Sequence, residues 1–365
     1  MVEIFQQNII SKVISLFSKG VTYKFTASIV TYRLMNDKAL NITDCVWQLL
    51  IKAFLFWIIL NICNFTAKAQ QDPQFSLNRF NQLSVNPGFA GSSGLINALL
   101  LNRYQWVGFP GAPVTTVFNA DAAVHLIGKN DGIGLSVIND VIGFEKNVSV
   151  GLNYSWRTKV GKGLLGTGIS IGLMNKNLNL DMTDANRWSD LPDFNLSDPA
   201  LPKGEVSGVL ADLGIGFYYQ CKKFELAVSA RHLNQPTLSF DESGLYSLRR
   251  HYYMSGSYTL QTANERVEVL PSFFFKSDAT TWQADFNVII QFEKRLWGGI
   301  GYRVKDAIIV TAGAELWNGI KFGYSYDIST SSLSRYNAGS HEFFIAYSIL
   351  LNKKRTHKYR SVRFL

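Results

Sequence analysis

From residue 94 onward, apolar side chains return at every second position. In 282–292 the even positions are Trp282, Ala284, Phe286, Val288, Ile290 and Phe292, and the odd ones are Gln283, Asp285, Asn287, Ile289 and Gln291. The same alternation runs through 148–156, 165–173 and 209–217, where Gly, Ser, Asn or Asp fill many of the intervening places. Successive strand side chains point to opposite faces, so each segment has one apolar and one small or polar face. Such runs span 94–106, 114–124, 131–138, 146–158, 164–175, 207–221, 223–232, 249–261, 266–276, 279–292, 296–303, 307–316, 319–326 and 341–350. That is an even number, fourteen, and most are close to the roughly 9–11 residues that a tilted strand needs to cross a bilayer. No helical period competes with them. An open sheet edge in lipid would leave backbone groups unpaired. The pattern therefore predicts an all-β fold, a closed antiparallel transmembrane outer-membrane β-barrel of about 14 strands over 94–350.

The connections point the same way. With the first strand taken as running outward, one set of turns is short: 125–130, 159–163, around 222, 262–265, 293–295 and 317–318. The other set includes 139–145, 176–206, 233–248 and 327–340, although 277–278 and 304–306 are short. Short turns on one side and long loops on the other mark an outer-membrane barrel. Trp106, Trp156, Tyr218, Tyr219, Tyr252, Tyr253, Trp282, Trp297, Tyr302, Trp317, Tyr324 and Tyr326 lie near strand ends. They are the expected interfacial girdles.

Composition narrows the class. Of the 365 residues, 47% are hydrophobic, 13% aromatic and only 17% charged, which excludes a disordered chain. The net charge of +9 is not a property of the body. Residues 1–69 carry seven Lys/Arg against three Asp/Glu, and Lys353, Lys354, Arg355, Lys358, Arg360 and Arg363 crowd the end, so 70–350 is near neutral. A nucleic-acid-binding domain would spread its positive charge over the folded body, so no nucleic-acid partner is expected.

Lys52, the apolar run from Ala53 to Phe65 and the sequence Ala67-Lys68-Ala69 describe a secretory signal peptide cleaved after Ala69. About fifty residues precede it, which a mis-started upstream extension explains better than a true one, so 1–69 is set apart from the fold. Cleavage leaves Cys221 as the sole cysteine of the exported chain. Residues 70–93 read as a periplasmic N-terminal segment: Phe75, Phe80, Leu83, Val85 and Phe89 make it too apolar for a free tail, so it packs in the lumen mouth or on a periplasmic partner. Residues 351–365 read as a basic periplasmic C-terminal tail suited to an acidic partner.

No catalytic constellation emerges. His125, His232, His251, His341 and His357 do not stand at metal-ligand spacing from one another, and no G-x-S-x-G occurs. Ser340 and His341 are adjacent and face opposite ways. Gly166-Thr167-Gly168 and Gly214-Ile215-Gly216 lie inside strands, where they read as small lumen-facing residues and not as a nucleotide loop. The expectation is no enzyme, no metal and no cofactor.

Several stretches carry a resemblance. Gln70-Gln71-Asp72-Pro73-Gln74-Phe75-Ser76 and Asn86-Pro87-Gly88-Phe89-Ala90-Gly91 resemble the opening of the PorP/SprF-type membrane proteins of the Bacteroidetes type IX secretion system. So do 103–113 with Arg103, Gln105 and Trp106, and Arg231-His232-Leu233-Asn234-Gln235-Pro236. The run Gly323-Tyr324-Ser325-Tyr326-Asp327, followed by Gly339-Ser340-His341-Glu342, completes the set. Gly88 departs from the family's usual alanine, and Leu365 stands where an aromatic is usual. The resemblance implies a non-enzymatic outer-membrane component of that system, which supports export or surface attachment of cargo, gliding adhesins included. Implied partners are outer-membrane lipid, a periplasmic peptidoglycan-binding lipoprotein and the C-terminal domain of exported cargo. Asp72, Pro73, Phe75, Asn86, Pro87, Arg103, Gln105, Trp106, His232, Gln235, Pro236, Tyr326, Asp327, His341 and Glu342 are carried over as structural or partner-contact candidates, with a rigid hairpin expected at 103–106. The alternative from another class is a passive channel or hydrophobic-solute transporter.

Overall fold

A computed structural model describes residues 72–127, 130–179, 205–240, 244–316 and 318–349. The signal, the upstream extension, the basic tail and Trp317 lie outside the described residues. The strands are β1 (Ile96–Tyr104), β2 (Val114–Val124), β3 (Asp131–Ile142), β4 (Glu145–Val160), β5 (Gly163–Asn179), β6 (Glu205–Gln220) and β7 (Phe224–Arg231). After them come β8 (Thr237–Phe240), β9 (Gly244–Ser247), β10 (His251–Tyr258), β11 (Leu260–Gln261), β12 (Val267–Ser277) and β13 (Trp282–Phe292). The last are β14 (Leu296–Arg303), β15 (Ala307–Glu315), β16 (Ile320–Ser329) and β17 (Ser340–Ile349).

Every wall strand pairs antiparallel with its sequence neighbour, and β1 closes on β17 from Ile96↔Ile349 to Tyr104↔His341. β10 bridges β7 and β12, so the barrel closes, and only the Glu205–Gly214 part of β6 runs on beyond its pairing with β7. β10 and β11 are one wall strand interrupted at Thr259, whose N–H bonds to the Lys223 carbonyl. Counted so, fourteen strands close the barrel, each matching one predicted run. Two details differ from expectation. The stretch 139–145 is no loop: β3 and β4 stay paired out to Ile142↔Glu145 around a tight turn at Gly143 (φ 58°). Within 233–248, β8 and β9 form a separate hairpin that packs Leu238 against Gly208 and sets Tyr246 over Lys176.

The alternation places its apolar face outward. Leu152 is 65% exposed, Ile300 60% and Phe286 56%, while Asp285 and Arg303, one step out of phase with Phe286 and Tyr302, are at most 1% exposed. Neighbours such as Val288↔Ile300↔Val310↔Tyr326 continue that band around the wall. An apolar exterior over a polar interior is the arrangement that lipid selects. On β5 the outward series Ile169, Ile171, Leu173 changes to Asn175, Asn177, Asn179, and on β6 Val209 gives way to Ser207 and Glu205. The apolar band stops there. β4, β5 and β6 run on as a polar spur at the end that carries the 105–113, 180–204, 232–250 and 330–339 connections, here called the long-loop end. Ile300→Arg, in the middle of the band, is expected to destabilise the barrel by about 2–4 kcal/mol, read from urea unfolding in lipid. A loss near zero would mean that this face does not meet hydrocarbon.

Three aromatics predicted for the girdle face inward. Tyr218, Tyr253 and Trp297 are buried, because each sits on the parity of the lumen-facing residues of its strand. Proximity to a strand end does not decide the face. Trp156, Tyr252, Trp282, Tyr302 and Tyr324 are exposed on the outer face, as a girdle requires.

The core is inside the barrel. Residues 75–91 are all buried, and Phe80 packs on Trp297 and Phe344 with ring centroids 4.8 and 4.5 Å away. Phe89 meets Tyr218 edge-on at 5.1 Å. The segment expected in the lumen mouth or on a periplasmic partner runs, in its described part 72–93, through the lumen. Asp72 lies by the ends of β7, β10 and β12 at the long-loop end, and Gly91 by Asp121 and Gly132 at the other, the short-turn end.

Candidate functional site

The threaded segment is held at three levels. Near the short-turn end, Asn86 caps a 3-10 turn over Pro87–Phe89, its Oδ1 accepting the Gly88 N–H at 2.8 Å while Nδ2 donates to the Phe217 carbonyl at 3.0 Å. This turn lies directly on wall glycines. A Cβ at Gly168 would be 2.3 Å from Gly88 N, and one at Gly216 would be 2.1 Å from Asn86 Oδ1. Gly166, Gly168 and Gly216 are thus the seat of the turn. At mid-depth, Ser229 Oγ donates to the Val85 carbonyl at 2.7 Å, Arg231 Nη1 to that of Ser84 at 2.9 Å, and Asn119 Nδ2 to Asn81 Oδ1 at 2.7 Å.

Higher up, two arginines and three carboxylates enclose Ser76. Arg103 reaches Glu342 Oε2 at 2.8 Å and Asp327 Oδ2 at 2.7 Å. Arg303 reaches Asp285 Oδ1 at 3.1 Å and the same Asp327 oxygen at 2.9 Å. Both guanidinium groups donate to Ser76 Oγ, at 2.9 and 2.8 Å, and Arg303 also to the Phe75 carbonyl at 3.2 Å. The two oxygens of Glu342 accept the Ser76 and Leu77 N–H groups, each at 2.8 Å. Buried charge is tolerable only where it is paired, and here each guanidinium has at least two carboxylates within ion-pair distance. The network joins the segment to β1, β13, β14, β16 and β17, so it orders chain that is far apart in sequence.

At the long-loop end, Asp72 lies 3.0 Å from His232 Nε2, and His232 Nδ1 lies 2.8 Å from Asp212 Oδ1. Arg231 pairs with Asp212 at 2.8 Å, the Tyr253 hydroxyl donates to Asp72, and Lys276 donates to the Asp72 carbonyl at 2.9 Å. Burial pushes the Asp72 carboxyl up, but His251, His232 and Arg231 outweigh it and hold it well below the usual carboxylate range. Burial would lower the His232 imidazolium, yet Asp72, with hydrogen bonds to Asp212 and Asp72, pushes it up to about 9. A histidine raised in this way stabilises fully below its ordinary 6.5 and stops doing so as pH rises through about 9. In chelator-treated protein the melting temperature is expected to fall across that window, and His232→Gln should flatten the fall. An unchanged slope in that variant would contradict the assignment.

The structure thus brings Asp72, Phe75, Asn86, Pro87, Arg103, His232, Asp327 and Glu342 onto one axis, with Pro73 half-buried beside Asp72. The other candidates lie elsewhere. Gln105 closes its hairpin by donating to the Pro113 carbonyl, and Trp106 (φ 49°) donates its N–H to Ser340 Oγ at 3.1 Å. Tyr326 Oη donates to the Ala338 carbonyl at 2.8 Å, tying down the 330–339 connection. His341 turns to Tyr324 Oη at 2.6 Å, away from Ser340. Gln235 (φ 44°) and Pro236 lead into the β8–β9 hairpin, with Leu248 N–H on the Pro236 carbonyl. Ser76, Asp212, Arg231, His251, Tyr253, Lys276, Asp285 and Arg303 were not among the site candidates read from sequence. Their signal was parity, since six of them are polar side chains on the lumen phase of otherwise apolar strands.

The model of the family described as type IX secretion system membrane protein PorP/SprF matches residues 67–347. The chain belongs to this family. A PorP/SprF protein is a membrane component of type IX secretion, and the barrel places this one in the outer membrane. No curated protein matches its sequence. Among solved structures it is similar to the outer membrane protein Omp33 of Acinetobacter baumannii, at 6% identity over 70% of this chain and 99% of that one, with a TM-score of 0.40. It is also similar to the CymD monoaromatic hydrocarbon channel, at 11% identity over 76% and 92%, with a TM-score of 0.43. The toluene transporter TbuX of Ralstonia pickettii shares 14% identity over 72% and 92%, with a TM-score of 0.41.

Proposed function

We propose that this PorP/SprF protein is a non-enzymatic docking component of type IX secretion, which supports export or surface attachment of cargo. In this reading the long-loop end faces outward and holds the C-terminal domain of exported cargo, gliding adhesins among them, on the polar spur of β4–β6 and its connections. The short-turn end, with the basic 351–365 tail that follows β17, faces periplasmic machinery that includes a peptidoglycan-binding lipoprotein. Signal cleavage after Ala69 would leave the new terminus close to Asp72. One observation carries the reading beyond family membership: the lumen is occupied by the protein's own chain, bonded to the wall at three levels. An open passive channel needs a clear path, and 72–93 fills it; a hydrophobic-solute transporter with a plugged lumen would need that segment to move, and it is bonded to the wall along its length. Affinity purification from solubilised outer membrane is expected to recover a secretion component or a cargo C-terminal domain, and deletion of the gene should remove particular proteins from the cell surface. Recovery of the barrel alone, with an unchanged surface proteome, would refute docking.

A further inference from the structure

The long-loop end also gathers a donor set for which the docking role has no use. We propose that Asp72, His232 and His251 bind a divalent transition-metal ion of the Zn2+ class, which locks the start of the threaded segment to the ends of β7 and β10. One ligand atom from each of the three residues lies within 4.8 Å of the others. Around a tetrahedral Zn2+, with bonds of about 2.0–2.1 Å, ligand atoms stand roughly 3.3 Å apart. Asp72 Oδ1 and His232 Nε2 are already 3.0 Å apart.

Both rings are preset for such a site. His232 Nδ1 is 2.8 Å from Asp212 Oδ1, and His251 Nδ1 is 3.0 Å from the Arg249 carbonyl. His251 Nε2 accepts a hydrogen bond and so already presents a lone pair, whereas His232 releases to solvent the Nε2 proton it shares with Asp72 when the ion binds; a carboxylate or carbonyl behind the ring is the usual outer partner of a metal-bound histidine. The two rings meet edge to face, with centroids 5.7 Å apart. The Tyr253 hydroxyl occupies Asp72 Oδ2 and leaves Oδ1 for the ion. At present His251 Nε2 accepts the Asp72 N–H at 3.2 Å, a long bond that the ion would replace. The nearby cations are already engaged, Arg231 by Asp212 and Lys276 by the Asp72 carbonyl. Two imidazoles and one carboxylate form a borderline donor set that suits Zn2+ and disfavours Ca2+ or Mg2+.

The backbone supplies an independent observation. His232 is fully buried with φ 55°, a left-handed conformation that non-glycine residues keep only where the surroundings enforce it. That conformation places the ring between Asp212 and Asp72.

The test uses the full chain, purified in detergent and stripped with chelator. Titration with Co2+ should give one ion per chain with visible d–d bands of a low-coordinate site, and Zn2+ should displace it. His251→Gln, which keeps the Asp72–His232 contact, should weaken Zn2+ binding at least ten-fold, and Asp212→Asn by about 10–100-fold. His341→Gln, at a histidine bonded to Tyr324, should change nothing. Heat-modifiable gel migration reports barrel closure in each variant. X-ray absorption at the zinc edge of the wild-type chain reads the ligand shell without any substitution, and two imidazoles are expected. Absence of stoichiometric binding, unchanged affinity in a folded His251→Gln, or a shell without histidine would overturn the assignment.

Discussion

Arg103→Met is expected to destabilise the barrel by about 3–5 kcal/mol, the cost of leaving buried charge without its partner. Arg103 is the only guanidinium within ion-pair distance of Glu342 among the described residues, and it shares Asp327 with Arg303. Its loss leaves Glu342 with two backbone N–H groups and no cation, under 1% of the side chain reaching solvent. Those same N–H groups belong to Ser76 and Leu77, so the penalty falls on the threaded segment first. Urea unfolding in lipid reads the loss, and limited proteolysis should cut 72–93 in the variant and spare it in the wild type. Adding Glu342→Gln should recover part of the loss, since the uncompensated charge goes with it. A change below about 1 kcal/mol, within the range of surface ion pairs, would show that the network does not hold the segment.

Gly168→Val is expected to open the lumen. Its Cβ alone would stand 2.3 Å from both Gly88 N and Pro87 C, and these are backbone atoms that cannot rotate aside. Gly216→Val collides with Asn86 from the adjacent strand. Either change lifts the 86–88 turn from its seat. In planar bilayers the wild type should stay at baseline leak, while both variants should give discrete ion-conducting steps. A wild type that conducts as the variants do would favour the alternative, a passive channel, over docking.

The wall was legible because its physics is local. Period-2 alternation fixes which face each residue takes, and 282–292 or 209–217 can be read without knowing any neighbour. Strand ends were less so: β3 and β4 continue through Asn139–Glu145 territory because cross-strand pairing holds them, which no single strand reveals. The inward turn of Trp297 was available from parity with Ile300 and Tyr302, but position near a strand end masked it. The site was only half legible. Arg103, Asp327, Glu342, Asp72 and His232 stood out through the family resemblance. Their mutual contacts did not, because Asp72 and His232 are 160 positions apart and Ser76 and Glu342 266 apart. The apolar character of 70–93 showed that it must be covered. Only barrel closure shows that the barrel's own interior covers it.

The most direct measurement of the central claim, that this protein seals its own lumen with residues 72–93, is thiol accessibility in native outer-membrane vesicles. In a Cys221→Ser background, Ser84→Cys sits beside Asn81 and Asn119 at mid-depth, and Tyr336→Cys sits on the exposed 330–339 connection. A water-soluble maleimide should label the second at once and the first only after denaturation. Equal labelling of both in the folded barrel would contradict the account.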